Sequence, residues 1–390
     1  MQIIDNLDIG GAQEVVHTLV KYLAVGNCRP IVCTLKDGPL RHDIERLGIK
    51  VEVLPGRRYG ITKFPLFVLD LIRIGRSLAA LVRQYEVDVV QTHLLRLLDF
   101  IVLFLPFVTR LRLVLWTFHN AKFELTPANL PSHRWLFPIK LYGFRLLYRL
   151  AAALVGGFVA VSDEVKNSMV EVIGPIQAKV HVICNGVDTS RYEQEVDRAL
   201  IRQHLGLAAE ARLIIVLATL KEQKGHRYLI EAMAALTPKY PDLHVILVGD
   251  GPLRQTLQAQ VAELNLEPYV HFLGSRHDVP DLLAASDLFV LPSLWEGLAM
   301  ALLEGMATGL PIVASEVSGT IQVIVPGESG LLVPPGEVGC LVEAIGGLLS
   351  NPTMARQLGA AAKQRVQAEF SAQKQAHEHL KLYHRLCSSG

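Results

Sequence analysis

The sequence predicts two doubly wound α/β domains in tandem, on three observations. The chain has 390 residues, more than the roughly 250–300 at which a single core stops growing. Short apolar, β-like runs alternate with longer helical patterns through both halves, as βαβ units on parallel sheets require. The alternation breaks once, at a charged, helix-prone stretch from Arg191 to Leu207, and then restarts.

Taken in order, the first set of strand-like runs is Gln2 to Ile4, Pro30 to Leu35, Lys50 to Leu54, Val87 to Thr92, Leu113 to Thr117 and Val155 to Val161. The second set is Leu213 to Ala218, His244 to Val248, Val270 to Leu273, Leu288 to Leu291 and Pro311 to Ala314. Between them, Asn185-Gly186-Val187-Asp188 reads as a turn after the strand-like His181 to Cys184. The expected domains are therefore 1–188 and 189–370. A last helical segment, 371–390, has a packing partner that the sequence leaves open. No internal repeat and no low-complexity tract is found.

Composition narrows the class. Hydrophobic residues make up 51% and charged residues 19%, enough apolar surface for two cores and too little polarity for a disordered chain. Cys28, Cys33, Cys184, Cys340 and Cys387 are scattered and form no CxxC pair, so no metal site or disulfide framework is expected, and a reducing cytosol fits. No basic segment followed by an apolar stretch and a cleavage site opens the chain, and no secretory signal is expected. The longest uncharged run, Leu150 to Ser162, has 13 residues, short of the roughly 18 that a spanning helix needs. The expected location is the cytoplasm, including the inner face of the membrane.

The net charge of +1 hides an asymmetry: residues 1–190 hold 22 basic against 16 acidic side chains, leaving 16 against 21 in the rest. Residues 57–150 alone hold 14 against 5, interleaved with Phe, Trp and Tyr. That points to an anionic partner near one face. Leu94 to Val108 and Trp135 to Leu150, with Lys140, Arg145, Arg149, Phe137, Tyr142, Phe144 and Tyr148, suit peripheral contact with an anionic membrane. They equally suit core helices with snorkelling arginines. Nucleic acid is not an expected partner, because the chain is nearly neutral and carries no binding motif for it.

In open parallel sheets, ligands bind beyond the carboxyl ends of strands, so the chemistry belongs on post-strand loops. The first such loop is Gly10-Gly11-Ala12-Gln13, ahead of an amphipathic helix; it can bring helix-terminal amides to a phosphate or be a plain tight turn. The second, Ala218 to His226, carries Lys221 and Lys224. Lys224, beside Gly225, can clamp a diphosphate or be a solvated surface lysine. The third, Pro292 to Ala307, sets Glu296 and Glu304 among Leu, Met and Ala. A carboxylate in that setting is costly unless paired or hydrogen-bonded, and two ribose hydroxyls would satisfy it; capping or surface glutamates are the alternative. Eight residues of helix span about 12 Å, more than the roughly 5–9.5 Å between the two acids of a glycosidase, so the two glutamates have different jobs. Between them, Gly297, Leu298, Ala299 and Met300 open a helix whose amides can face phosphates or sugar hydroxyls.

With these motifs in place, the chain resembles the glycosyltransferase family 4, or group 1, enzymes of GT-B architecture, which carry a Glu-x7-Glu motif. Further pieces of the resemblance are Thr117-Phe118-His119, Val159-Ala160-Val161-Ser162, Gly249-Asp250-Gly251-Pro252, Phe272-Leu273-Gly274 and Ser329-Gly330-Leu331-Leu332-Val333-Pro334. The resemblance covers nearly the whole chain. It implies two Rossmann-like domains facing an interdomain cleft, the first binding acceptor and the second nucleotide sugar.

It also implies a retaining, metal-independent transfer from a UDP- or GDP-linked sugar to a glycan or lipid-linked acceptor, with no cofactor. Glu304 would hold the donor ribose, Glu296 the transferred sugar and Lys224 the diphosphate. Leu273 would meet the base through its backbone. Gly10, Gly11 and Ala12 would approach donor and acceptor, and His119 would hydrogen-bond the sugar, unless it is simply a structural histidine. The family has Gly-Arg where this chain has Ala218-Thr219, so a clamping arginine is missing and Lys221 stands nearest to replace it. Ala299 stands where a glycine is frequent, and its methyl narrows the pocket. Thr219 motivates a second reading, a catalytically impaired nucleotide-sugar-binding or membrane-docking protein. A sugar-nucleotide epimerase or phosphorylase on the same architecture is a third.

Overall fold

A computed structural model describes residues 1–8, 10–26, 28–55, 64–93, 97–119, 137–174 and 176–388, with the side chains at 64–67, 97, 98, 137–141 and 144 outside that description. Of the expected basic, aromatic segments, Leu94 to Arg96, Trp135 and the side chains of Phe137, Lys140 and Phe144 therefore lie outside the described residues.

The chain divides into two compact units, Met1–Asn185 with Gln373–Gly390, and Gly186–Ala372. The first contains seven parallel strands: β1 (Gln2–Asn6), β2 (Ile31–Lys36), β3 (Lys50–Val53), β4 (Val89–His93), β5 (Leu113–Phe118), β6 (Gly157–Ala160) and β7 (Val180–Val182), in the order β3-β2-β1-β4-β5-β6-β7. The second contains six: β8 (Arg212–Leu217), β9 (Leu243–Val248), β10 (Val270–Gly274), β11 (Leu288–Leu291), β12 (Ile312–Ser315) and β13 (Leu331–Val333), in the order β10-β9-β8-β11-β12-β13. Each is a Rossmann-like sheet, the architecture expected of the GT-B class.

These strands read as near-continuous apolar runs because helices cover both faces of a parallel sheet. Leu213 to Leu217 are all buried, and Ile214 pairs with Val245 on one side and Leu288 on the other. In the second unit the core gathers Val216, Leu229, Met233, Val245, Leu247 and Ile345. Strand β4 departs from that pattern, with Gln91, Thr92 and His93 all buried.

In both sheets the strand order reverses once, between β1 and β4 and between β8 and β11. Connections leave in opposite directions at such a point, which opens a crevice beyond the carboxyl ends of the two strands.

Two features differ from the expected elements, and a third answers what the sequence left open. Leu331–Val333 forms the edge strand β13, paired with β12 from Val313↔Leu331 to Ser315↔Val333; at three residues it is too short to show alternation. The charged stretch is not one helix: a turn at Thr189–Tyr192 is followed by the helix Arg198–His204, which begins where the Asp197 carboxylate accepts from the Leu200 amide at 3.0 Å. The last helix, Ala372–Ser388, belongs to the first unit, where Ala376, Leu382 and Tyr383 pack with Leu113, Leu115, Val159 and Ile183. The chain returns to that unit alongside its departure, since Val187 donates to Phe370 O and accepts from the Ala372 amide, both at 2.9 Å.

Candidate functional site

In the second unit, two loops leave the switch point and are tied together. The loop after β8 turns at Glu222–Lys224 and enters the helix His226–Leu236 through Gly225. The loop after β11 runs from Pro292 to Ala299. The Leu294 amide donates to Gln223 O at 2.7 Å, and Gln223 Nε2 donates to Trp295 O at 2.9 Å. Gly225 has φ +63°, and a Cβ there would lie 1.9 Å from the Pro292 carbonyl oxygen. A glycine is thus required by both the backbone and the crossing of the loops.

This tie brings Lys224 and Glu296 together. Lys224 Nζ donates to Glu296 Oε1 at 2.5 Å, and Ser293 Oγ donates to the same oxygen at 2.6 Å. Glu296 is 5% exposed and Lys224 18%, so the carboxylate is withdrawn from water only with its charge matched. An ammonium has three N–H donors. Lys224 uses one here, which leaves two for an anion, while Oε2 of Glu296 can accept from a hydroxyl.

Neighbouring His226 is 2% exposed, and neither ring nitrogen has a partner among the described residues. Burial, and secondarily the Lys224 charge, push its pKa down to about 4, so the ring is neutral at physiological pH. Ser293 and His226 were not picked out as site residues from the sequence. Ser293 lies three residues before Glu296, and that spacing within a post-strand loop was the available signal.

Glu304 sits differently from expectation. The segment before the helix is extended at Ala299 (φ −74°, ψ 117°), and the helix runs Met300–Thr308. Glu304 is therefore its fifth residue, little more than one turn in, and half-buried. The reach from Glu296 to Glu304 is not eight residues of helix. The first helical bonds run from the Leu302 and Leu303 amides to Ala299 O. The Met300 and Ala301 amides thus have no partner within the helix, and they open it at its positive end. Gly297, Leu298, Ala299 and Met300 are buried. Thr219 and Lys221 are exposed on the β8 loop, and Leu273 is half-buried at the end of β10.

In the first unit, Gly10 and Gly11 stand at the start of the helix Gly11–Val25, with Ala12 half-buried behind them. Gly10 is extended, with φ −172°, and a Cβ on Gly11 would meet nothing within 4 Å. Among the described residues nothing in this turn requires Gly11, unlike Gly225.

His119 follows β5 and is buried. Burial, followed by the proximity of His379, lowers its pKa to about 4. Its Nε2 lies 3.0 Å from His93 Nδ1, and its Nδ1 is buried without a partner among the described residues. Tyr148 is buried edge-on to Trp116 and Phe100, and so belongs to the core, whereas Tyr142 is exposed.

Family models match nearly the whole chain: Glycosyltransferase Family 4 over residues 9–191 and Glycosyl transferases group 1 over residues 197–365. A Pseudomonas aeruginosa D-rhamnosyltransferase, WbpZ, is 30% identical over 268 residues, 66% of this chain and 68% of the relative. An Escherichia coli UDP-Gal:alpha-D-GlcNAc-diphosphoundecaprenol alpha-1,3-galactosyltransferase is 29% identical over 60% of this chain and 59% of its own length. The chain spans about three fifths of the first curated relatives it matches. Among solved structures, Anabaena HepE in complex with UDP-glucose superposes with a TM-score of 0.79 at 24% identity, covering 98% of this chain and 100% of that one. At that identity the likeness is one of fold.

Proposed function

The chain belongs to the group 1, family 4 glycosyltransferases, and from that premise we propose that it transfers a sugar from a nucleotide-diphosphate sugar to a glycan or lipid-linked acceptor, with retention and without a metal. One observation carries the reading: the Lys224, Glu296 and Ser293 cluster lies at the switch point of the second sheet, where two loops are locked together to hold it.

In this reading the negative charge that builds on the departing diphosphate is met by fixed groups. The two remaining Lys224 N–H bonds and the Met300 and Ala301 amides are oriented before the reaction, so they lower the barrier without reorganising. Glu296 Oε2 grips a hydroxyl of the transferred sugar, Glu304 the ribose, and Leu273 the base. His119, with the Gly10, Gly11 and Ala12 turn, completes the sugar and acceptor contacts. The nucleotide leaves on the face that the acceptor attacks. Thr219 cannot replace a bidentate arginine, and exposed Lys221 supplies a mobile charge in its place. Both the Pseudomonas and the Escherichia relatives are named for sugar transfer, the second from UDP-Gal to a diphosphoundecaprenol-linked sugar, which favours transfer over epimerisation or phosphorolysis.

A screen of UDP- and GDP-sugars with lipid extracts as acceptors tests this. Acceptor-dependent nucleotide release supports it. Binding of a sugar nucleotide with no release under any acceptor would favour the impaired binding protein.

A second observation supports contact with an anionic membrane. A groove of about 890 Å³ in the first unit is lined by Leu71, Ile72, Phe104, Leu147, Leu150 and Leu154, with Arg76 and Arg83 among its walls. Phe104 in its wall is 64% exposed, and Phe107, three residues on, is 71% exposed. An apolar surface flanked by arginines suits an interface of acyl chains under anionic headgroups. Among the described residues no helix is long and apolar enough to cross a membrane. Sedimentation with phosphatidylglycerol vesicles, and its loss in Phe104→Ser/Phe107→Ser, is the expected outcome; equal binding to phosphatidylcholine vesicles would contradict the electrostatic part.

A further inference from the structure

The first sheet buries a chain of polar side chains that ends at His119. Gln2, Gln91 and His93 lie on β1 and β4, Thr117 on β5 and Tyr383 on the C-terminal helix, and all are buried. Gln91 Nε2 donates to Thr117 Oγ1 at 2.5 Å, so its Oε1 is the acceptor for the Tyr383 hydroxyl. Tyr383 in turn accepts from Gln2 Nε2 at 3.1 Å. That assignment leaves Gln2 Oε1, an acceptor, facing His93 Nε2 at 2.8 Å, so His93 carries its proton on Nε2.

Burial holds His93 neutral, which leaves its Nδ1 bare. Across 3.0 Å, His119 Nε2 must then be the donor. Every link points the same way, and the chain ends on a His119 Nδ1 that carries a lone pair, no proton and, among the described residues, no partner. His379 approaches both histidines, but its own Nδ1 is 2.9 Å from Gln375 O, so it donates there and does not join the chain.

A buried acceptor without a donor at the carboxyl end of a central strand is placed for a ligand. We infer that Tyr383, Gln2 and His93 are positioning residues that fix His119 with its proton on Nε2, so that Nδ1 accepts from a hydroxyl of the transferred sugar and disfavours a sugar bearing a carboxylate there. The inference rests on His119 as a sugar contact, and adds to it the direction of the hydrogen bond and the helix that sets it. A site built around one direction of hydrogen bonding rejects a group that cannot donate, because two acceptors then face each other.

Long-range 1H–15N correlation on the full chain with 15N-labelled histidine reads the tautomer directly, with His119 assigned from the signal lost in His119→Gln. The expected result is a protonated Nε2 and a bare Nδ1, giving way to a tautomer mixture in Gln2→Leu and in the milder Tyr383→Phe. A proton on Nδ1, as when both glutamine amides are turned over, would overturn the relay, and so would a tautomer unmoved in both variants. Calorimetry with UDP-glucose and UDP-glucuronic acid should favour the first by roughly tenfold or more, narrowing in Tyr383→Phe. Equal affinity, absence of binding included, would overturn the selection. If His119→Ala leaves UDP-glucose affinity unchanged while the tautomer is as stated, the sugar-contact reading fails and the relay stands.

Discussion

The two units prepare buried polar groups in opposite ways. In the second, Lys224 and Glu296 are brought together as ions, 72 positions apart in sequence, by two loops that cross at Gly225. In the first, His119, His93, Gln2 and Tyr383 are neutral groups linked in one direction, with Gln2 and Tyr383 separated by 381 positions. Paired charges can be exchanged for those of a ligand without leaving a bare ion. A chain of neutral groups is instead committed to one pattern of donors and acceptors. The difference teaches that charge and hydrogen-bond direction are supplied by separate parts of the fold, and that each should fail in its own manner.

The largest expected effect comes from removing the shared cation. Lys224→Ala should lower kcat for nucleotide release by about 10²–10³-fold, the size associated with a fixed donor at developing charge. Lys221→Ala, at an exposed lysine, should change it by less than about fivefold, as a screened charge does. Steady-state kinetics on the two variants would break the comparison if the order were reversed.

The two glycines sharpen it next. Gly225→Ala meets both a left-handed backbone and the Pro292 carbonyl, and should destabilise the second unit by about 3 kcal/mol or more. Gly11→Ala fills open space and should shift stability by less than about 0.5 kcal/mol while weakening nucleotide-sugar affinity. Urea unfolding and calorimetry separate these outcomes. Tight binding by Gly11→Ala would remove the turn from the site.

Acid provides a separate test, and it discriminates between the units. Burial holds His119, His379 and His226 at about 4, and His93 well below the ordinary 6.5. Between about pH 6.5 and 4 the unfolded chain therefore binds protons that the folded chain does not. Stability is whole above that window and is lost as pH falls through it. Each histidine contributes a slope of up to about 1.4 kcal/mol per pH unit. Three of these four belong to the first unit, so hydrogen exchange should show its core strands losing protection more steeply than β8 and β11 between pH 7 and 5. Equal slopes would deny the neutral chain in the first unit its cost.

The sequence exposed those parts of this arrangement that are local. Uninterrupted apolar runs such as Leu213 to Leu217 mark central strands because both their faces are covered, and the loops carrying Lys224 and Glu296 stand out because charge follows directly on such a run. Strand β13 was hidden by its length of three residues. The start of the last site helix was hidden because Gly297 to Ala299 continue the apolar pattern that follows while lying outside the helix, which begins at Met300 after an extended Ala299. Nothing near Tyr383 says that its hydroxyl will meet Gln2 and Gln91, since that contact exists only once the C-terminal helix returns to the first sheet. Tyr148 was left between interface and core for the same reason: an aromatic residue among basic ones suits either until Trp116 and Phe100 are known to enclose it.

The most direct test of the charged cluster is Glu296→Gln, which keeps the shape and the Ser293 contact while removing the charge that Lys224 faces. Acceptor-dependent nucleotide release should fall by about 10²-fold or more, with the circular dichroism spectrum and unfolding cooperativity of the wild type retained. Turnover equal to wild type in that folded variant would show that the carboxylate does not take part in transfer.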